Sequence, residues 1–197
     1  MKFVLASQNQ GKLTEMQKIL QDLGVEIVLQ SELGVSVDVE ETGTTFAENA
    51  RLKAVAVMQA TGLPAIADDS GLCVDALNGG PGVYSARYGG GNLTDAEKVQ
   101  LLLSNMRGAS TRAAHFETAI VCAFPNGDEL TAAGRCDGSI AYAPAGEGGF
   151  GYDPVFYVEG RSYSEMTGEE KDAVSHRGRA LRLFYDEMNR RMNCADQ

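Results

Sequence analysis

Two adjacent carboxylates stand between two short apolar runs. Residues 65–67 and 72–74 have the composition of short strands, and Asp68 and Asp69 directly follow the first. Ser70-Gly71 favours a break between them. Because successive side chains of a strand point to opposite faces, one carboxylate serves a given site and the other braces backbone or a lysine. Asp69 is the candidate for chemistry; the alternative is that Asp-Asp-Ser-Gly is simply a turn.

A second candidate site is the polar loop that connects a predicted strand, residues 3–6, to a predicted helix that ends at Gly24. Such a connection places backbone N–H groups and the positive end of the helix dipole where a phosphate can bind. The glycine pattern of a Walker loop is missing, and an ordinary connection capped by Asn or Ser explains the stretch equally well. The candidate phosphate ligands are Ser7, Gln8, Asn9, Gln10, Gly11 and Lys12.

Three segments have the capping-box pattern, in which a Thr is followed three residues later by Glu, and each predicts a helix start. They are residues 45–48, 94–97 and 167–170. The first helix, predicted to run to about residue 59, carries Asn49 and Lys53 on one face, for which a solvated surface is the usual explanation. Because this helix leads into the acidic strand, its first turns and Glu40-Glu41 could reach the same site.

The second half of the chain predicts a hairpin, a glycine-rich loop and a final helix. Residues 116–124 and 130–141 are typical of a long antiparallel hairpin. The loop at residues 146–154 contains G-x-G-x-x-G, but a strand follows Pro154 where a dinucleotide-binding motif would open a helix. Glycines beside Phe150 and Tyr152 suit a flat base instead. The final helix is predicted to bury Leu181, Leu183, Phe184 and Met188.

Length and composition narrow the class of protein. The 197 residues suffice for a single domain, residues 1–197, and a net charge of −10 argues against a broad nucleic-acid surface. The four cysteines show no paired spacing and only two histidines are present, which disfavours a zinc site and fits reduced thiols in the cytoplasm. No apolar run approaches about 18 residues, so no membrane anchor is expected.

Six motifs occur in order along the chain. They are S-x-N-x-x-K from Ser7, E-E-T-G-x-T-F-x-E-N-A-x-x-K-A from Glu40, A-D-D-S-G-L from Ala67, P-G-x-Y-S-A-R-Y from Pro81, G-G-F-G-Y-D-P from Gly148 and S-H-R-G from Ser175. Together they resemble the inosine/xanthosine triphosphate pyrophosphatase family. Its bacterial members cleave non-standard purine nucleoside triphosphates, such as dITP, ITP and XTP, to the monophosphate and pyrophosphate. The resemblance covers residues 2–188.

The resemblance implies an α/β fold in which an elongated mixed β-sheet is flanked by helices and divided into two lobes around a central substrate cleft. It also implies a homodimer that depends on Mg²⁺, with Asp69 as the catalytic residue. Strands interleaved with helices, followed by a long hairpin, independently predict a mixed sheet. The implied metal ligands are Glu40 and Asp69, with Glu41 as the alternative to Glu40.

The implied substrate ligands divide into two groups. Lys12, Lys53 and Lys171 hold the phosphate chain, assisted by the loop from Ser7 to Lys12 and by Ser70. The base stacks on Phe150, and its polar edge meets Gly151, Tyr152, Asp153, His176 and Arg177.

A triphosphate carries about four negative charges, so this acidic chain can bind it only if its carboxylates act through a metal such as Mg²⁺. The nearest alternative function is a related nucleotide pyrophosphatase that prefers pyrimidine triphosphates. A non-hydrolytic nucleotide-binding regulator is an alternative of another class, against which the pair of Glu40 and Asp69 argues. A third alternative function, that of a nicotinamide oxidoreductase, is supported only by the glycine motif.

Overall fold

The computed structural model describes residues 1–195, within which seven strands form one mixed sheet. The strands are β1 (Lys2–Leu5), β2 (Glu26–Leu29), β3 (Ala65–Val74), β4 (Ala113–Ala123), β5 (Glu129–Ile140), β6 (Phe156–Val158) and β7 (Arg161–Ser162). Their order across the sheet is β2-β1-β3-β4-β5-β6-β7. β1 is parallel to both β2 and β3, whereas β6 is antiparallel to β5 and β7. The predicted mixed α/β sheet is thereby confirmed.

Helices occupy the predicted positions. They are α1 (Gln10–Leu20), α2 (Phe46–Thr61), α3 (Asp95–Asn105), α4 (Gly168–Val174) and α5 (His176–Ala195). All three predicted capping boxes form, with Thr45, Thr94 and Thr167 each accepting a hydrogen bond from the backbone N–H three residues later. Gly24 follows α1 and its short 3-10 extension with a φ of 63°, a left-handed conformation that glycine adopts readily. Local sequence therefore sets the start of α2, α3 and α4.

The predicted break at Ser70-Gly71 is wrong, because β3 is one strand of ten residues. The backbone on both sides of this pair has hydrogen-bond partners in the extended conformation. Thr118 Oγ1 donates to the Asp69 carbonyl at 3.0 Å, and the Leu72 N–H donates to Ser85 Oγ at 2.8 Å. These contacts come from distant parts of the chain and outweigh the local turn preference.

The chain divides into two compact units, and each has its own apolar core. Unit 1 comprises Met1–Asp69, Thr118–Gly134 and the chain from Ala180 onward; unit 2 comprises Ser70–Glu117 and Arg135–Arg179. The unit 1 core includes Phe3, Leu20, Ile66, Ile120 and Phe184. The unit 2 core is rich in aromatic contacts, including Phe116 edge-to-face against Phe156 at 4.7 Å. No helix of residues 1–195 is both long and apolar enough to cross a membrane.

The predicted core face of α5 is correct at three positions and wrong at one. Leu181, Phe184 and Met188 are at most 2% exposed, whereas Leu183 is 54% exposed. Two residues along a helix correspond to a rotation of about 200°, so Leu183 lies nearly opposite Leu181. Ala180, which is fully buried, takes its place on the core face.

The two leucines of α5 provide a matched test of this face. Leu181→Ala should lower the free energy of unfolding by about 2–5 kcal/mol, because it leaves a cavity in a closed core. The same truncation at Leu183 should change it by less than about 0.5 kcal/mol, because solvent fills the space. Urea unfolding followed by circular dichroism measures both values. Equal losses for the two variants would contradict the orientation of α5.

Candidate functional site

The centre of the site in unit 1 is the ammonium group of Lys53, which lies near the middle of α2. Its Nζ lies 2.8 Å from the Asp68 carbonyl oxygen, 3.1 Å from Glu41 Oε1 and 3.4 Å from Asp69 Oδ1. The side chains of Lys53, Glu41 and Asp69 are 20%, 23% and 12% exposed. The capping box at Thr45 starts α2 directly after the Glu41 loop. One helix thereby brings its lysine to both the loop and strand β3.

The side-chain carboxylates of Asp68 and Asp69 contact different lysines, as the alternation of side chains along a strand predicts. Asp68 Oδ1 accepts from Lys12 Nζ of α1 at 2.8 Å, and the Asp68 side chain is only 5% exposed. Asp69 accepts from Lys53 of α2 instead. Asp68 thus braces a lysine, as was expected of one of the two carboxylates, and the role of Asp69 in chemistry stays a prediction.

Burial raises the pKa of Asp69, and the nearby Glu41 carboxylate adds to this effect, against the opposing influence of Lys53 and Asn49. Burial also disfavours the charged form of Lys53, but the carboxylates of Asp69, Glu41 and Asp68 hold its pKa above the ordinary value. Lys53 is therefore positively charged at neutral pH. A carboxylate with a raised pKa is a stronger proton acceptor, which suits Asp69 to general-base chemistry.

The oxygens of this cluster suit a hard cation such as Mg²⁺. Within residues 1–195, no group of three or more His, Cys, Asp and Glu side chains could hold a metal ion. Glu41 and Asp69, which both contact Lys53, are two carboxylates, and Mg²⁺ usually takes one or two carboxylates from a protein beside water and phosphate oxygens. Of the two candidate glutamates, Glu41 lies against Lys53, while Glu40 has an exposed side chain.

The N-terminal loop forms the ordinary helix cap that was the alternative to a phosphate site. Ser7 Oγ accepts from the Asn9 N–H at 3.0 Å, and Asn9 Oδ1 accepts from the N–H groups of Gly11 and Lys12 at 2.8 and 3.2 Å. Gln8 and Gln10 are exposed. An incoming phosphate would have to compete with these hydrogen bonds, so Lys12 is the strongest phosphate ligand that the loop offers. Ser70 is partly buried beside Asp69 in β3.

A second cluster lies in unit 2, around the buried carboxylate of Asp153. Its Oδ2 accepts from Lys171 Nζ at 2.5 Å and from the Phe150 N–H at 2.9 Å. The Lys171 ammonium also lies 4.8 Å from the centre of the Phe150 ring, which is 64% exposed. Lys171 was expected to act together with Lys12 and Lys53. The structure places it with Phe150 and Asp153, the residues assigned to the base.

The other predicted base ligands differ in how much of each side chain is accessible. The Tyr152 ring is 5% exposed and its hydroxyl donates to the Ser85 carbonyl at 2.9 Å, so its side chain belongs to the unit 2 core. His176 is 8% exposed, with its ring stacked on Phe116 at 4.7 Å. Arg177 is partly buried at the start of α5. The N–H of Gly151 donates to Asp95 Oδ2 at 2.8 Å.

Asn49 contacts Asp69, so a solvated surface, the usual explanation for its face of α2, is wrong, and the alternative that the first turns of this helix reach the acidic strand is correct for Asn49. Its side chain is fully buried, and its Nδ2 donates to Asp69 Oδ2 at 3.2 Å. The signal was its register in α2, where Asn49 follows the buried Phe46 by three residues and therefore lies on the apolar face.

The chain is similar to known proteins over nearly its whole length. The model of the Ham1 family matches residues 3–187. A dITP/XTP pyrophosphatase of Photorhabdus laumondii is 51% identical over 191 residues, which cover 94% of this chain and 96% of the relative. A dITP/XTP pyrophosphatase of Streptomyces coelicolor is 49% identical over 189 residues, which cover 93% and 94%. A HAM1 protein from Coxiella burnetii superimposes with a TM-score of 0.92 at 46% identity, over 96% of this chain and 99% of that one.

The raised pKa of Asp69 predicts a pH dependence of stability that Asp69→Asn removes. The folded state holds this proton more tightly than an unfolded aspartate, whose pKa is about 3.9. The resulting contribution to stability is complete below the pKa of Asp69 in the unfolded state, and it is lost as the pH rises through the pKa of Asp69 in the folded state. The wild-type protein should therefore lose stability relative to Asp69→Asn as the pH rises through that window. Urea unfolding of both proteins in metal-free buffer measures the difference.

Glu170→Gln is a control of opposite sign. The Arg161 guanidinium lowers the pKa of exposed Glu170 to about 2. Stability from this group is present above the unfolded pKa and is lost as the pH falls, so here the wild-type protein should lose stability relative to the variant on acidification. A difference between wild type and Asp69→Asn that does not vary with pH would show that Asp69 titrates normally in the folded protein.

Proposed function

The chain belongs to the Ham1 family, and we propose on this premise that it hydrolyses non-standard purine nucleoside triphosphates. The substrates are dITP, ITP and XTP, and the products are the nucleoside monophosphate and pyrophosphate, a reaction that clears such nucleotides from the cellular pool. The names of relatives about half identical over nearly the whole chain support this substrate class. The observation that carries the proposal is the cluster of Lys53, Glu41 and Asp69 in unit 1.

In the proposed reaction, a water molecule attacks the α-phosphorus of the nucleotide. Asp69, a largely buried carboxylate fixed by Lys53 and Asn49, orients this water and accepts its proton. A bond forms between the water oxygen and the α-phosphorus, while the bond from that phosphorus to the pyrophosphate oxygen breaks and its electron pair leaves with pyrophosphate. Lys53 and Lys12, whose ammonium groups are held by carboxylates in unit 1, offset the charge of the phosphate chain.

Glu41 and Asp69 are the proposed ligands of a divalent cation, specifically Mg²⁺. This choice of Glu41 over Glu40 rests on the contact of Glu41 with Lys53, the lysine that also contacts Asp69. When bound there, Mg²⁺ would supply positive charge against the phosphate oxygens. Lys53, which shares those two carboxylates, would then be released in part to contact phosphate.

The cluster in unit 2 is the proposed site for the base. Phe150 offers an exposed ring for stacking, and Lys171 lies beside it with its charge balanced by Asp153. A 6-oxopurine presents an acceptor where adenine presents an amino donor. Lys171 and Arg177 carry donors only, so they favour the 6-oxo group. His176 and the backbone of residues 151–153 are the other groups proposed to contact the polar edge of the base.

We also propose that the protein is a cytoplasmic homodimer and that residues 1–197 form one domain. The family resemblance supports the dimer, and the free, buried thiols of Cys73, Cys122 and Cys136 suit a reducing compartment. A single domain is supported by the sheet, since β3 contains residues of both units.

Phosphorus NMR of the reaction with ITP, XTP, GTP and ATP, and with the pyrimidine triphosphates CTP and UTP, tests the function directly. We expect monophosphate and pyrophosphate from ITP and XTP, with kcat/KM exceeding that for ATP by roughly 10⁴-fold, because an unpaired donor in the base site is costly. GTP shares the 6-oxo group and should lie between them. Early diphosphate and orthophosphate would contradict attack at the α-phosphorus, and a preference for pyrimidine triphosphates would contradict the base assignment.

A further inference from the structure

We infer that Asn49 is a positioning residue that holds the Asp69 carboxylate and the loop carrying Glu41 in fixed relative positions. This inference rests on the proposed function, because it concerns the geometry of the same two carboxylates. Asn49 donates from Nδ2 to Asp69 Oδ2 at 3.2 Å and accepts at Oδ1 from the Gly43 N–H at 2.8 Å. One fully buried amide group thus joins strand β3 to the loop before α2.

Asn49 and Lys53 both contact strand β3 and the loop before α2, but they bind different groups on each. Asn49 and Lys53 lie one turn apart on α2, and they bind different oxygens of the Asp69 carboxylate. On the loop, Asn49 binds the backbone of Gly43, whereas Lys53 binds the side chain of Glu41. With the contact of Lys53 to the Asp68 carbonyl, these two side chains of one helix hold the two segments through five contacts.

The Asn49 contacts depend less than the Lys53 contacts on the charge that the site receives, because the amide itself carries no charge. Lys53 is held by Coulomb attraction, which an anionic phosphate chain or a bound cation would redistribute between new partners. The amide of Asn49 is neutral, and both of its bonds here go to groups inside unit 1. Asn49 therefore keeps Asp69 and the Glu41 loop in place while Lys53 exchanges one anionic partner for another.

The close approach of the loop to Asn49 depends on Gly43. A Cβ atom at this position would lie 2.6 Å from Asn49 Oδ1 and 2.7 Å from the Glu48 Cβ. A side chain there would push the loop away from α2 and break the hydrogen bond. The absence of a side chain at residue 43 and the buried amide at residue 49 thus serve the same contact.

Asn49→Leu tests the inference, because it preserves size and removes both hydrogen bonds without adding charge. Gln30→Met is the matched control. Gln30 is also buried and also braces a loop, through two hydrogen bonds with the Val37 backbone, but it has no contact with Asp69. Thermal unfolding, kcat and KM for ITP, and amide hydrogen exchange at Gly43 are measured for both variants and the wild type.

We expect both variants to unfold at lower temperature by comparable amounts. Asn49→Leu alone should lose about 10²-fold in kcat, the scale of effect that misplacement by an ångström produces, with a smaller change in KM. Its Gly43 amide should exchange faster than in the wild type, while Gln30→Met leaves that amide unchanged. A kcat for Asn49→Leu within a few-fold of wild type, or an equal loss in Gln30→Met, would overturn the inference.

Asn49→Asp separates the two contacts and decides the case if Asn49→Leu does not fold. It retains the acceptor for Gly43 but replaces the donor to Asp69 with an oxygen, so kcat should fall while exchange at Gly43 stays as in the wild type. Wild-type kcat in this variant would refute the Asp69 contact. If the wild-type protein released no pyrophosphate, the proposed function would be wrong, and exchange at Gly43 in Asn49→Leu would decide the bracing role by itself.

Discussion

The partial burial of carboxylates around one ammonium group is the constraint on which the rest of the site depends. Asp69 and Glu41 are largely removed from water, and such charges are costly unless they are paired and hydrogen-bonded. Lys53 provides the opposite charge. Its position follows from the capping box of Thr45 and Glu48, which sets the start of α2. The cluster can form only when the start of α2, the loop before α2 and strand β3 are correctly placed relative to one another.

The side chains proposed to bind substrate form two clusters, one in each unit. Unit 1 contains Lys12, Lys53, Glu41 and Asp69, groups that suit phosphate and a cation. Unit 2 contains an exposed aromatic ring, Phe150, beside a lysine whose charge is balanced by Asp153. In the proposed function, Lys171 is therefore assigned to the base rather than to the phosphate chain. A cation held by the carboxylates of unit 1 would let a protein of net charge −10 bind an anionic substrate.

Much of this could be predicted from the sequence, because the relevant signals are local. Capping boxes located α2, α3 and α4, and strand alternation correctly separated Asp68 from Asp69. The errors arose where distant contacts decide. Thr118 and Ser85 keep β3 extended through Ser70-Gly71, and the buried position of Asn49 becomes evident only when the apolar face of α2 is packed. Leu183 is apolar but does not belong to the core face of α5, because its helical register places it nearly opposite Leu181.

The most direct test of the account compares turnover of ITP by Asp69→Asn and by Asp68→Asn. These neighbouring carboxylates have the same chemistry but contact different lysines. If Asp69 is the base, Asp69→Asn should remain folded and lose about 10²-fold or more in kcat at saturating Mg²⁺. Asp68→Asn should lose much less, since the Asp68 carboxylate accepts from Lys12, and the backbone carbonyl that accepts from Lys53 is retained. Turnover by Asp69→Asn within a few-fold of wild type, or a greater loss in Asp68→Asn, would contradict the central claim.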